Sequence, residues 1–385
     1  MKAFRAELLV WLILFLASDC VMHLKVSHAD QPVRIGWIGP LSGPLGQAGS
    51  SAKKGVELAV AEINVAGGIR GKKVEVLYMD TQGFPDLAMK SAEWLAHQKG
   101  LIGILGDLTS SGIEASMQIS ARHKIPMITY YGSAIEPAQY NNPWFFTVSL
   151  RTQELYKGLA NYCIRKQNLK KYATMILDNA YGETNKVGFE KGVELTQNAI
   201  IVLEARYDIA NKDFIEEISK IKAIKPEAIV LIGLSQDSAL IAKQLGEAMI
   251  DIPILGSVPQ SSRDFYEIAG KGAEGMILAN YFHEGAYDWE NSKTFISLWN
   301  QKHYSKSPDV YAANAYDAVG MMAAAVKDMG TDKYDVMGWL KNTEWKGASG
   351  LIRTRPDRME KTFVLQKWQK GELVLADTDI VKLSE

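Results

Sequence analysis

The chain is poor in cysteine, with two in 385 residues. Two cysteines are too few for a disulfide framework or for a zinc site with four cysteine ligands. An excess of charge of one sign is also lacking, because 43 Lys and Arg residues nearly balance 44 Asp and Glu residues and leave a formal net charge of −1. A nucleic-acid binder normally carries a basic excess, so this balance argues against that class. The hydrophobic content of 47% excludes a disordered chain, and the length favours two domains.

The signatures of the common enzymes are missing as well. The sequence contains no G-x-S-x-G nucleophile elbow, no H-E-x-x-H zinc motif, no P-loop and no G-x-G-x-x-G dinucleotide loop. The histidines beyond residue 29 are widely scattered in the sequence, and each is expected at the surface or in a satisfied polar contact; they are His97, His123, His283 and His303. These absences are weak evidence against any one enzyme and stronger evidence against the common enzymes taken together, so we expect no metal, no cofactor and no catalytic site of a common type.

The first 29 residues have the pattern of a secretory signal peptide. Lys2 and Arg5 precede an apolar run, 8–17, that is too short to cross a bilayer. Ser27 and Ala29 place small residues at positions −3 and −1 of a cleavage site. We therefore expect an exported protein whose mature chain begins after Ala29.

The two cysteines lie on either side of this cleavage site. A lipoprotein start at Cys20 is an alternative, but Asp19 stands where such a signal requires a small residue. Cys163 remains after cleavage, and its helical spacing from Leu155 and Leu159 predicts a buried core thiol. We therefore expect no intrachain disulfide in the mature protein.

The rest of the chain alternates short apolar runs with amphipathic ones. Many apolar runs are continuous, as at 228–232, which is typical of parallel strands that are covered on both faces. This alternation predicts an α/β fold with doubly wound sheets, followed by an antiparallel hairpin at 362–377. The predicted strands are 33–39, 74–80, 102–106, 126–130, 145–149, 172–178, 201–208, 228–233, 252–257 and 275–282.

Several loop motifs follow these strands in a fixed order. The sequence reads G-P-L-S-G at 39–43, I-N-V-A-G-G-I-R-G-K at 63–72 and D-N-A-Y-G at 178–182. Each motif is weak by itself. Together, behind a signal peptide and over essentially the whole mature chain, they resemble the periplasmic substrate-binding proteins of branched-chain amino acid ABC transporters.

The resemblance implies two Rossmann-like lobes joined by three crossovers, with the ligand cleft between them (the type I periplasmic binding protein fold). Lobe one would comprise 30–149 plus 282–353, and lobe two 150–281 plus 354–385. The protein would be a periplasmic monomer that captures a small carboxylate-bearing ligand, an amino acid or a related aliphatic or aromatic acid, by cleft closure. It would deliver this ligand to an ABC permease in the inner membrane. The alternatives are a ligand-sensing receptor of the same fold, coupled to a signalling partner, and a secreted enzyme with an unrecognised site.

The expected anion site follows the third strand. Ser111 and Glu114 have capping-box spacing, which predicts a helix that begins at Gly112 with Ser110 just outside it. Free N–H groups and the positive end of the helix dipole would favour a carboxylate there. The resemblance implies that Ser110 and, more weakly, Thr109 hold the ligand carboxylate. A plain helix cap is the alternative interpretation.

The resemblance places the next ligand contacts after the fourth strand. It assigns backbone contacts to Tyr131 and Gly132, and a hydroxyl contact to Ser133. Tyr130 and Tyr131 would either line an aromatic pocket or pack beneath the loop.

In lobe two, the resemblance implies that Tyr181 closes over the ligand and that Ser235 lies near another contact position. Relatives that bind amino acids usually carry an acid after the strand that corresponds to 252–257, where it pairs with the α-ammonium. This chain continues Val258-Pro259-Gln260 instead, and Asp237 is too uncertainly placed to substitute. Since a buried unpaired ammonium is costly, we expect a carboxylate without an α-amino group.

The first loop departs from the family in the same direction. Ala48 stands where relatives often carry an aromatic residue against the ligand, so the cleft would have more room. A larger or aromatic acid would fit this space, with an ordinary branched-chain amino acid as the alternative.

Overall fold

The computed structural model describes residues 31–43, 45–131, 142–149, 151–304, 306–355, 359–376 and 381–382. The predicted signal peptide lies outside these residues. The ten predicted strands are all present, with ends within two residues of the predicted ones. Among the described residues, no helix is both long and apolar enough to cross a membrane.

The strands are named in chain order. They are β1 (Val33–Gly39), β2 (Val74–Asp80), β3 (Leu101–Leu105), β4 (Met127–Thr129), β5 (Phe145–Thr147), β6 (Lys171–Leu177), β7 (Ile200–Tyr207), β8 (Ala228–Ile232), β9 (Ile254–Gly256), β10 (Ile277–Asn280), β11 (Glu344–Gly347), β12 (Gly350–Thr354), β13 (Met359–Gln369), β14 (Glu372–Leu375) and β15 (Val381–Lys382).

The α-helices are named in the same way. They are α1 (Gly46–Val65), α2 (Pro85–Ala96), α3 (Ser110–His123), α4 (Thr152–Gln167), α5 (Ala180–Glu194), α6 (Ile215–Ile224), α7 (Ser235–Glu247), α8 (Arg263–Ala269), α9 (Glu290–Gln301), α10 (Val310–Met329) and α11 (Lys333–Leu340).

Lobe one is built on a parallel five-stranded sheet in the order β2-β1-β3-β4-β5. Successive side chains of β1 enter different cores: Trp37 packs with α1 and α10, and Ile38 packs with α2 and α3. The helices therefore cover both faces, as a doubly wound sheet requires. Helices α1 and α10 pack closely at Gly55, where a Cβ atom would lie 2.0 Å from the carbonyl oxygen of Ala312.

Lobe two is built on the parallel strands β7-β6-β8-β9-β10. Val230 of β8 faces a core that includes α4 and α5, and Leu231 faces a core that includes α7 and α8. Cys163 of α4 is buried in the first core, as predicted, and burial raises the pKa of its thiol to about 12. The C-terminal hairpin is also confirmed, because β13 pairs antiparallel with β14.

The chain passes between the lobes at three places. The first follows β5, the second follows β10, and the third runs along β13, which pairs with β12 at its start and with β10 further on.

A buried lysine lies where these three passages meet. The Nζ atom of Lys361 donates to the carbonyl oxygen of Val148 at 2.6 Å, to Oδ1 of Asn314 at 2.8 Å and to Oγ of Ser349 at 2.8 Å. It also lies 5.2 Å from the ring centroid of Tyr281. The first, second and third passages thus share one cation.

Candidate functional site

The candidate residues of lobe one lie at the carboxyl edge of its sheet. Strands β3 and β4 are parallel neighbours, so the loops that carry Ser110 and Tyr131 leave the same edge. The Thr129 hydroxyl lies 3.2 Å from the carbonyl oxygen of Asp107 and 3.1 Å from that of Tyr131. This hydroxyl ties the two loops together at the place where open α/β sheets bind their ligands.

The helix after β3 begins two residues earlier than predicted. Thr109 is the N-cap of α3, with an extended backbone, and its Oγ1 accepts from the backbone N–H of Gly112 at 3.1 Å. The prediction that Ser111 caps a helix starting at Gly112 is therefore wrong. The β-branched Thr109 suits the extended conformation that an N-cap needs.

This register changes what each residue of the loop can offer. The Thr109 oxygen is engaged in the cap, whereas Ser110 is exposed in the first turn of α3. The backbone N–H groups of that turn and the helix dipole remain favourable to an anion. The assignment of Ser110 to a ligand carboxylate remains a prediction.

A buried carboxyl group that the sequence analysis missed lies beside this helix end. Oδ1 of Asp107 accepts from the backbone N–H groups of Leu108 and Thr109, and Oδ2 has no hydrogen-bond partner among the described residues. Burial raises the pKa of Asp107, although the two backbone bonds oppose the shift.

The two tyrosines after β4 have different environments. Tyr130 is fully buried, stacks on Trp37 and donates to the carbonyl oxygen of Ile38 at 3.2 Å. Tyr131 is half-buried, and its ring centroid lies 5.2 Å from that of Tyr311 on α10. Tyr130 therefore packs in the core, and only Tyr131 is available to a cleft. The predicted contacts Gly132 and Ser133 lie outside the described residues.

Tyr181 of lobe two lies in the first turn of α5, which Asn179 caps. Its hydroxyl oxygen is buried and has no hydrogen-bond partner among the described residues. Burial raises the pKa of Tyr181 well above the usual value, and the neighbouring hydroxyls of Tyr156 and Tyr131 add to the shift. Because Tyr131 belongs to lobe one, the aromatic side chains of the two lobes face each other here.

A second unpartnered hydroxyl follows β9. Ser257 Oγ is buried and, like the Tyr181 hydroxyl, makes no hydrogen bond to another described residue. The Ser257 hydroxyl lies near those of Tyr181 and Tyr156 and opposes the rise in the pKa of both. Tyr156 itself donates to the carbonyl oxygen of Leu231 at 2.8 Å. The hydroxyls of Tyr181, Ser257 and Tyr156 thus form one buried polar cluster. Sequence analysis missed Ser257 and Tyr156, although Ser257 is the last residue of a predicted strand, 252–257, and directly follows the observed β9.

Ser235 is the first residue of α7, and its hydroxyl is 2.8 Å from that of Ser262; its predicted ligand contact stays a prediction. Asp237 is already engaged in hydrogen bonds. Its Oδ2 accepts from the Tyr207 hydroxyl at 2.5 Å and from the backbone N–H of Leu234 at 3.1 Å, inside lobe two. Asp237 is therefore a structural carboxylate that caps α7.

The other acids at the strand ends are also engaged. Asp178 is exposed and pairs with Arg206 at 3.5 Å. Asp80 accepts from the backbone N–H of Leu41 at 2.8 Å and from the hydroxyl of Ser42 at 2.7 Å, which anchors the loop after β1. Gln260, which follows the predicted strand 252–257, is buried and donates to the carbonyl oxygen of Gly233 at 2.9 Å. Ala48 is half-buried on α1 and packs against the core, and the predicted extra space in the cleft stays a prediction.

Comparison with known proteins identifies the relatives of this chain. A family model described as periplasmic binding protein matches residues 32–372. A Leu/Ile/Val-binding protein homolog 3 of Brucella melitensis is 26% identical over 358 residues, which are 91% of this chain and 94% of the relative.

Solved structures share the fold. The branched-chain amino acid transporter substrate binding protein of Streptococcus pneumoniae, in complex with isoleucine, aligns with a TM-score of 0.80 at 24% identity and covers 91% of this chain and 100% of its own. A solute binding protein of an ABC transporter from R. palustris, in complex with benzoate, aligns with a TM-score of 0.75 at 20% identity. The alignment covers 90% of this chain and 96% of that protein.

Proposed function

This chain belongs to the periplasmic binding protein family, in the branched-chain amino acid group, and we propose that it captures a small carboxylate that lacks an α-amino group. The family consists of substrate-binding proteins of ABC transporters, so the chain is a binding protein and not an enzyme. Within this role, the protein would deliver its ligand to a membrane permease. Export by the signal peptide of residues 1–29 and a monomeric state are parts of the same proposal.

The observation that carries the proposal is the engagement of the acids at the strand ends. An α-ammonium in a closed cleft needs a carboxylate partner, because an unpaired buried charge costs several kcal/mol. Asp237 caps α7, Asp178 pairs with Arg206 at the surface, and Asp80 anchors the first loop. Asp107, directly after β3, keeps one oxygen without a partner among the described residues, but it is buried, and burial raises its pKa and so disfavours its charged form. Among the described residues, these loops therefore offer an ammonium no carboxylate that is exposed and uncommitted.

The remaining groups suit an acid of this kind. The exposed Ser110 hydroxyl and the N-terminal turn of α3 favour a carboxylate. Tyr131, Tyr311 and Tyr181 supply aromatic surface. The unpartnered hydroxyls of Tyr181 and Ser257 can hydrogen-bond a neutral polar substituent of the ligand, such as a carbonyl or hydroxyl oxygen.

The relatives with bound ligands show that this fold accepts both chemistries. The proteins from S. pneumoniae and R. palustris hold isoleucine and benzoate, respectively. We propose that this chain follows the second type. Lobe closure would occur about the three passages, with lobe one at 30–149 plus 282–353 and lobe two at 150–281 plus 354–385.

The test compares matched ligand pairs by thermal shift and then by calorimetry. Leucine is measured against its deaminated analogue, and phenylalanine against phenylpropionate, with benzoate as a further acid. A ligand that binds only the folded protein raises the unfolding temperature as its concentration increases. The acid of at least one pair should bind more tightly than its amino acid. The proposal fails if the amino acid of each pair binds at least about tenfold more tightly than its acid. That ratio corresponds to a binding free energy that favours the amino acid by roughly 1.4 kcal/mol.

A pair of neighbouring serines tests the placement of the carboxylate. Ser110→Ala removes one hydroxyl donor to a charged group, which corresponds to a loss of about 1.5–3 kcal/mol and to an affinity roughly ten- to hundredfold weaker. Ser111→Ala is the matched control, because Ser111 is the next exposed residue of the same turn and does not cap the helix. Equal affinities of the two variants would refute the role of Ser110 without touching the ligand class.

A further inference from the structure

Two histidines far apart in the sequence meet on the outer surface of lobe one. His97 lies at the C-terminal end of α2 and His123 is the last residue of α3, and these helices pack against each other. Their ring centroids are 5.2 Å apart at an interplanar angle of 72°. Glu93, one turn before His97, lies beside both. One ligand atom from each of the three residues falls within 4.8 Å of the other two.

We propose that Glu93, His97 and His123 form a surface binding site for a borderline divalent metal ion, with Zn²⁺ as the best match. Two imidazole nitrogens and one carboxylate oxygen are a common zinc ligand set, and the remaining position is open to water. A tetrahedral zinc ion with zinc–nitrogen bonds of about 2.0–2.1 Å would hold two imidazole centroids roughly 5 Å apart. The observed separation of the rings already meets this requirement.

The tautomer of His97 is fixed in the form that a metal needs. Its Nδ1 lies 2.8 Å from the carbonyl oxygen of Glu93, which can only accept a hydrogen bond, so Nδ1 carries the proton. The lone pair is then on Nε2, which makes no hydrogen bond to another described residue. A backbone carbonyl that orients a histidine in this way is the usual support of a metal-ligating imidazole.

Glu93 is held between the second histidine and an arginine. Its Oε1 lies 2.9 Å from Nε2 of His123, and its Oε2 lies 3.3 Å from Nη1 of Arg122. Oε1 can only accept, so Nε2 of His123 carries the proton of this bond, and a metal ion held by that nitrogen and Oε1 would displace the proton. Arg122 binds the other oxygen and orients the carboxylate. The neighbouring Lys124 is directed elsewhere, because its Nζ donates to the Tyr334 hydroxyl at 3.1 Å.

The ion has room to enter because the site lies at the surface. His97 is exposed, and the side chains of His123 and Glu93 retain 25% and 39% of their accessible surface. In a tetrahedral complex the ligand atoms would lie about 3.4 Å apart. Without metal, Oε1 of Glu93 and Nε2 of His123 are 2.9 Å apart, and the ligand atoms of the three residues all lie within 4.8 Å of one another. Small side-chain rotations supply these adjustments, since none of the three residues is locked in the core.

The test uses the untagged chain, purified by ion exchange and freed of metal with a chelator. Calorimetric titration with ZnCl₂ should show one equivalent bound, and Co²⁺ should give the visible absorption of a tetrahedral site. His97→Gln and His123→Gln should each weaken Zn²⁺ binding by roughly tenfold or more, since even the loss of a supporting contact costs that much.

His303→Asn is the matched control. It removes an exposed histidine outside the cluster, and Asn tolerates the positive φ of 51° at this position. Its Zn²⁺ affinity should equal that of the wild type. The absence of Zn²⁺ binding at 100-fold excess over protein, or an equal loss in His303→Asn and His97→Gln, would overturn the proposal. Unchanged circular dichroism in all variants ensures that folding does not explain the result.

Discussion

Replacing the buried lysine at the meeting point of the three passages should destabilise the protein strongly. In Lys361→Met the aliphatic stem is retained, but the bonds to Val148, Asn314 and Ser349 are lost. The buried Asp317 carboxyl group also loses the Lys361 amino group, to which the Ser349 hydroxyl connects it through a 2.5 Å bond to Asp317 and a 2.8 Å bond to Lys361. Removing one partner of a buried, hydrogen-bonded pair of titratable groups typically costs about 3–5 kcal/mol.

The lower part of this range is expected, since Asp317 keeps other donors. The backbone N–H groups of Ala348 and Ser349 lie 2.6 Å and 2.8 Å from its oxygens. We therefore expect a loss of about 3 kcal/mol in urea unfolding at neutral pH. Lys367→Met on the same strand is the control, because Lys367 is exposed and its replacement should change stability by no more than about 0.5 kcal/mol.

The cost of Lys361→Met in unfolding free energy should also change with pH in a defined direction. Burial lowers the pKa of Lys361 from 10.5 to about 7, with Asp317 opposing the shift. Between these two values the unfolded chain binds more protons than the folded one, so Lys361 contributes stability that increases with pH, by up to about 1.4 kcal/mol per pH unit. The cost of Lys361→Met should therefore be larger at pH 9 than at pH 6.

Urea midpoints and slopes at pH 6, 7.5 and 9 measure this cost for both variants. A cost below about 1 kcal/mol, or one that decreases from pH 6 to pH 9, would refute the role given to Lys361.

Two further predictions concern the helices. Thr109→Ala should lower the free energy of unfolding by about 1 kcal/mol, because Thr109 caps α3. Ser111→Ala should leave that free energy unchanged. If chemical denaturation shows the larger loss for Ser111→Ala, Ser111 is the capping residue and this assignment is wrong. Gly188→Ala on α5 should destabilise by about 1–3 kcal/mol, because its Cβ would lie 2.2 Å from the carbonyl oxygen of Gln153. Gly338→Ala on α11, where a Cβ meets nothing within 4 Å, should instead raise the free energy of unfolding by up to about 1 kcal/mol. A change of the same sign in the unfolding free energy of both variants would contradict the close contact at Gly188.

The aromatic residues after β4 show where periodic patterns stop being informative. Tyr130 and Tyr131 are adjacent and identical in chemistry, so the sequence left their roles open. Successive side chains at a strand end point to opposite faces, and the packing of Trp37 decides that Tyr130 belongs to the core. The same limit applies to the caps of α3, since Thr109 and Ser111 are both good capping residues and the path of the chain out of β3 selects the first.

The sequence by itself determined the alternation of buried strands and helices, the positions of the ten strands and the loops that leave their carboxyl ends. Those features depend on the spacing of apolar residues within short segments, which periodicity records directly. Only the tertiary structure decided which distant side chains meet. His97 and His123 looked scattered in the sequence, yet the packing of α2 on α3 brings their rings to 5.2 Å. The role of Lys361 could not be predicted from the sequence either, because its partners Val148 and Asn314 are close to it in space but far from it in the chain.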